Sequence, residues 1–133
     1  MALQYSTTVN NARLDAIETA IGISAILKIR SGAAPANPGT ADSGTVLATL
    51  SLPSDWMAAA SAGAKAKSGT WTDASADATG TAAHFRIYDS GGTVCHIQGT
   101  VGLSATDMIV DSTSFTAGQT FTVTSFTITA ANA

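Results

Sequence analysis

Between Thr8 and Ile21 apolar residues recur at helical spacing: Leu14, Ile17 and Ile21 fall at i, i+3 and i+7, while Asn11, Asp15, Glu18 and Thr19 lie off that line. The spacing predicts one amphipathic helix, with Ser6, Thr7 or Thr8 capping its start and Gly22 ending it. Its apolar stripe is narrow and docks either on the protein's own sheet or on a neighbouring subunit. From Ile23 onwards the period changes to two. Ala25, Leu27 and Ile29 alternate with Ile26, Lys28 and Arg30, and a second strand from Thr45 to Leu52 places Val46, Ala48, Leu50 and Leu52 on one face. The Pro/Gly/Ala/Ser connection between them, residues 31–44, is long for a compact domain. Such loops are binding or assembly elements, or else plain surface excursions.

Pro53 stops the second strand, and residues 54–60 read as a short helical turn that brings Trp56 and Met57 over one end of the core. Residues 62–72 form a weaker strand. The clearest signal is a hairpin: with Ser90-Gly91-Gly92 as a three-residue turn, Phe85 pairs with Ile97 and Ile87 with Cys95 on an inward face. The outward face then carries His84 beside Gln98, Arg86 beside His96 and Tyr88 beside Val94. Two more strands follow, near Met108 to Asp111 and Thr120 to Thr129, the latter with a parity shift that predicts a bulge at Thr124-Ser125. The expected fold is mainly β, an antiparallel β-sandwich or jelly roll of about seven or eight strands with one N-terminal α-helix. Residues 1–22 form an arm and helix, and residues 23–133 a single β-sandwich domain.

Composition narrows the function classes. Ala, Thr, Ser and Gly make up more than half of the 133 residues, only 11% are charged, and the net charge is -3. That balance argues against a surface built to neutralise nucleic-acid phosphates and against a basic membrane-surface helix. With 45% hydrophobic residues the chain has enough apolar content to fold. A lone cysteine, Cys95, leaves stability to packing, backbone pairing or assembly. The start lacks the pattern of a secretory signal and the apolar run at Ile21 to Leu27 is too short to span a bilayer, so synthesis in the cytoplasm without a membrane anchor is expected.

Candidate chemistry is sparse. Cys95, His84 and His96 are the one concentration of metal-binding types, yet the hairpin parity turns the cysteine inward and both histidines outward, so they do not converge on a metal. There is no phosphate loop and no Gly-x-Ser-x-Gly elbow. Asp55, Asp73, Asp77, Asp89, Asp107 and Asp111 all sit in or beside turns, where aspartate bonds the local backbone. Neither enzymatic activity nor a cofactor is expected. Small, hydroxyl-bearing surface residues lose little side-chain entropy on burial, which suits repeated protein contacts.

Several stretches resemble small proteins encoded among the virion structural genes of tailed bacteriophages and prophages: Met1 to Ser6, Asp42 to Leu50, Leu52 to Met57, His84 to Gly92 and Phe126 to Ala133. Of the small structural proteins in that class, capsid decoration (cement) proteins fit best in size and β character. The resemblance implies a homotrimer on the outside of the capsid, bridging subunits of the major capsid protein and stabilising the shell. The alternative is a tail or fibre component, such as a receptor-binding module. The candidate contact residues are Leu3 and Tyr5 in the arm, Leu14, Ile17 and Ile21 if the helix stripe is not internal, Pro35 and Pro38 in the long loop, and His84, Arg86, Tyr88 and His96 on the outer hairpin face. Each of these has an alternative reading as core or solvated surface.

Overall fold

The computed structural model describes residues 3–130. Met1, Ala2 and residues 131–133, which belong to the arm and to the end of the β domain in the sequence reading, lie outside them. The chain is mainly β with one N-terminal helix. Helix α1 spans Thr7–Ile21; the Ser6 hydroxyl accepts from the Val9 N–H at its start, and the Gly22 N–H bonds the Glu18 carbonyl at its end.

Among the described residues ten strands follow: β1 (Ile26–Arg30), β2 (Val46–Ser51), β3 (Ala64–Ala66), β4 (Thr72–Asp73), β5 (Gly80–Thr81), β6 (His84–Tyr88), β7 (Cys95–Gly102), β8 (Met108–Val110), β9 (Ser114–Phe115) and β10 (Phe121–Thr129). The main sheet has the order β2-β1-β6-β7-β8-β10-β3, with β4 also paired to β10; β5 and β9 form a small second sheet. Its pairs are antiparallel except for β7 and β8, which run parallel. The expected bulge in the last strand is present, as a register shift between Val123 and Ser125. A second irregularity, where β2 pairs with the end of β1, leaves Leu47 as the extra residue, and Leu47 is buried.

The sheet rolls until its ends meet. On β2, the Thr49 N–H donates to the Asp73 carboxylate of β4, and the Leu47 carbonyl accepts from the Asp77 N–H just beyond it. The roll encloses Leu27, Ile29, Leu50, Phe85, Ile87 and Phe126, all nearly inaccessible. Trp56 and Trp71 lie at the centre of this core with ring centroids 6.1 Å apart, and Trp71 meets Phe126 at 5.7 Å. Each indole N–H is satisfied, Trp56 by the Gly22 carbonyl and Trp71 by the Ser68 carbonyl. Residues 54–60 do not make the expected helical turn: Met57 instead bridges to Lys67 and the Ala58 N–H bonds the Ala66 carbonyl. Pairing with the neighbouring strand takes up backbone groups that a single turn of helix would leave without partners.

The helix stripe is internal. Leu14 and Ile21 are buried and Ile17 packs against the core. Alongside them Lys65, 2% exposed, donates to Asp15 and the Ala58 carbonyl and forms an ion pair with Glu18 at 3.0 Å. Burial pushes the Lys65 ammonium down, but its bonds to the two carboxylates outweigh that, so it stays charged. The bond from Lys65, together with the Ala60 N–H, holds the Asp15 carboxyl below the usual range. This polar clamp orients the helix across β3.

Candidate functional site

The connection from Ser31 to Thr45 is the longest between successive strands β1 and β2, and it folds back over β6 and β7. Its closure needs Gly44, whose φ of +74° and approach to the Ser31 carbonyl leave no room for a Cβ. The loop is held from beneath. Arg86 gives its Nη1 to Asp42, its Nη2 to the Pro38 and Thr40 carbonyls at 2.7 and 3.0 Å, and its Nε to the Cys95 sulfur at 3.1 Å. Arg30 reaches the other oxygen of Asp42 at 3.0 Å, and the Tyr88 hydroxyl donates to Asp42 at 2.6 Å. The Gln98 amide donates to the Pro35 carbonyl at 2.7 Å, and His84 Nδ1 bonds the Gly32 carbonyl at 2.8 Å.

Asp42 is the hub of this arrangement. Burial pushes its carboxyl up, but the Tyr88 hydroxyl and the Arg30 and Arg86 guanidinium groups outweigh it, holding the carboxyl below the usual range. Burial, reinforced by the bond to Asp42, pushes the Tyr88 phenol up to about 12. Burial also pushes the Cys95 thiol up, against the opposing effect of Arg86. A thiol raised in this way is a poor nucleophile at neutral pH, and both guanidinium groups are already committed to the loop. Through these bonds the arrangement fixes the loop over the sheet.

Because the folded state depresses the Asp42 pKa, the stability it contributes is present above the ordinary carboxylate value and is lost as pH falls through the folded value. Urea denaturation of wild type and Asp42→Asn at pH 7 and pH 3 should show a large gap at pH 7 that narrows at pH 3. A gap independent of pH would show that the charge of Asp42 is not what secures the loop.

The positions of the expected contact residues require several corrections. His84, Arg86 and Tyr88 are 1–2% exposed, not an outer contact face, because the loop covers the side of the sheet they occupy. Leu14, Ile17 and Ile21 serve the protein's own core. His96 is exposed, Pro35 and Pro38 are half-buried at the loop, and Leu3 and Tyr5 are exposed at 75% and 43%.

The hairpin register also differs. Phe85 faces Gly99, Arg86 faces Gln98, Ile87 faces Ile97 and Tyr88 faces Cys95, with a bulge next to the last pair. The turn is longer than three residues, since the Asp89 N–H bonds the Val94 carbonyl and the Asp89 carboxylate accepts from the Thr93 N–H. The bulge at His96 then turns Cys95 to the side of Arg86 rather than into the core.

Asp42, the residue that organises the site, was missed by sequence reasoning. The available signal was complementarity: it is the lone acid in a long loop of small residues, opposite a strand face rich in donors. Among the described residues no group of His, Cys, Asp or Glu is placed to hold a metal ion, and no helix is long and apolar enough to cross a membrane. No protein-family model, curated protein or solved structure matches the chain.

Proposed function

We propose that this chain is a phage virion structural protein that decorates the outside of the capsid as a homotrimer and bridges subunits of the major capsid protein. The observation that carries the reading is the clamped loop. Its exposed stretch, Ala36, Asn37, Gly39 and Thr40, is held in one conformation by Arg86, Asp42 and Gln98 beneath it. A partner that docks on such a loop meets little further ordering cost. Repetition over many equivalent sites converts modest individual contacts into firm attachment. The sequence resemblance to virion structural proteins supports the same reading.

The tail or receptor-binding alternative draws its sugar-stacking aromatics from Trp56, Trp71 and the tyrosines. Trp56, Trp71 and Tyr88 are buried, which leaves Tyr5 as the exposed member of that set. Purified protein added to capsids lacking it should co-sediment with expanded heads and not with unexpanded ones, and antibody label on whole virions should decorate heads. Label on the tail, or no association with heads of either form, would overturn the proposal.

A further inference from the structure

Three buried polar atoms beneath the long loop have no hydrogen-bond partner among the described residues: Arg30 Nε, His84 Nε2 and Gln98 Oε1. They belong to three neighbouring strands, β1, β6 and β7. Arg30 and His84, 6% and 1% exposed, stand directly opposite each other in the β1–β6 register. His84 faces Thr100 on β7 and Arg86 faces Gln98, so Gln98 is the diagonal neighbour of His84. All three side chains rise on one face of the sheet to the same loop, Arg30 to Asp42, His84 to the Gly32 carbonyl and Gln98 to the Pro35 carbonyl. Directly opposite residues have Cβ atoms about 4.5–5.5 Å apart, and diagonal ones remain within reach of long side chains. The imidazole is thus the middle member of a row of three.

The bonds already made fix what each remaining atom offers. His84 Nδ1 meets a carbonyl, which only accepts, so Nδ1 carries the hydrogen and in the neutral ring Nε2 is an acceptor. The Gln98 amide nitrogen donates to Pro35, so Oε1 is a second acceptor. Arg30 Nε carries a hydrogen and is a donor. One donor and two acceptors match the two hydrogens and the lone pairs of a water molecule. An anion would suit the arginine but meet the amide oxygen and the imidazole lone pair. A metal cation would suit those acceptors but meet the guanidinium. Two bonds of about 2.8 Å let one water oxygen span about 5.5 Å, the scale of the cross-strand spacing.

We propose that the loop encloses a binding site for one internal water molecule, which donates to His84 Nε2 and Gln98 Oε1 and accepts from Arg30 Nε. Internal waters make about three bonds to buried polar groups that otherwise lack partners, and this site supplies three. The water ties β1, β6 and β7 together on the face that the loop covers. It leaves only when the loop lifts, so its residence time reports loop opening. The bridge concerns the support of the loop rather than what docks on it, so it can fail without the capsid reading failing, and the reverse.

A crystal structure of the full chain, at a resolution that orders internal water, tests it. A water should lie within hydrogen-bond distance of His84 Nε2 and of at least one of Arg30 Nε and Gln98 Oε1. Protein groups bonded to those atoms in its place, an ion there, or no density would overturn the proposal. In solution, relaxation dispersion of the water oxygen signal counts long-lived internal waters. His84→Phe, which keeps a ring but removes the central acceptor, should hold one fewer than wild type, and an equal count would overturn the proposal. Should that variant fail to fold, nitrogen NMR of wild type gives the second reading. The His84 hydrogen should sit on Nδ1 with Nε2 accepting a hydrogen bond, and the opposite tautomer would overturn the proposal.

Discussion

Arg86→Ala is expected to lower the free energy of unfolding by about 3 kcal/mol, near the lower end of the range for breaking a buried ion pair. Arg86 is 1% exposed and its guanidinium serves Asp42, two loop carbonyls and the Cys95 sulfur at once. Removal leaves a cavity and strands the Pro38 and Thr40 carbonyls beneath the loop. The estimate stays low in the range because the Asp42 side chain is 40% exposed and retains both solvent and Arg30. Urea denaturation at pH 7 measures the loss, and hydrogen exchange should show faster opening of residues 31–45. Arg86→Lys should recover only part of it, since one ammonium group cannot occupy the same fan of acceptors. A loss under about 1 kcal/mol with unchanged loop exchange would mean that the guanidinium does not hold the loop.

Trp71→Ala should cost about 3–5 kcal/mol, the range for deleting a buried large aromatic, and lower the thermal midpoint by about 10–20 °C for a domain of this size. Trp71 is 1% exposed and joins two parts of the core, meeting Trp56 on one side and Phe126 of β10 on the other. Trp71→Phe should be milder, because the ring contacts persist while the Ser68 carbonyl loses its indole donor. Differential scanning calorimetry of both variants checks the order. Equal midpoints for Trp71→Ala and wild type would show that the core closes without this ring.

Local pattern made much of the fold readable. Leu14, Ile17 and Ile21 mark the helix and its buried stripe, because helix periodicity and docking both act through the same residues. Alternation similarly located β1, β2 and the parity shift in β10. What alternation cannot report is what covers a face. The side of His84, Arg86 and Tyr88 looks outward by polarity, yet its polarity matches the carbonyls of a loop folded over it. The hairpin register slipped for a related reason: one extra turn residue and one bulge, neither with a strong sequence mark, moved Cys95 to the other side. The parallel pairing of β7 and β8 joins segments through the short connection Leu103-Ser104-Ala105-Thr106-Asp107, with no local period to announce its direction.

The place of β10 in the sheet sets the order in which the molecule can assemble. β10 bonds β8 along one edge and β3 and β4 along the other, and β3 is the strand on which α1 lies. The helix forms from neighbouring residues and is the first element able to appear, yet among the described residues its platform joins the main sheet only through β10, near the far end of the chain. Seating the helix and its platform in the main sheet therefore needs loop closure over most of the sequence, the kind of non-local step that slows folding. The earliest element to form is the last to find its seat, and until then its apolar stripe is open to the solvent and to other chains.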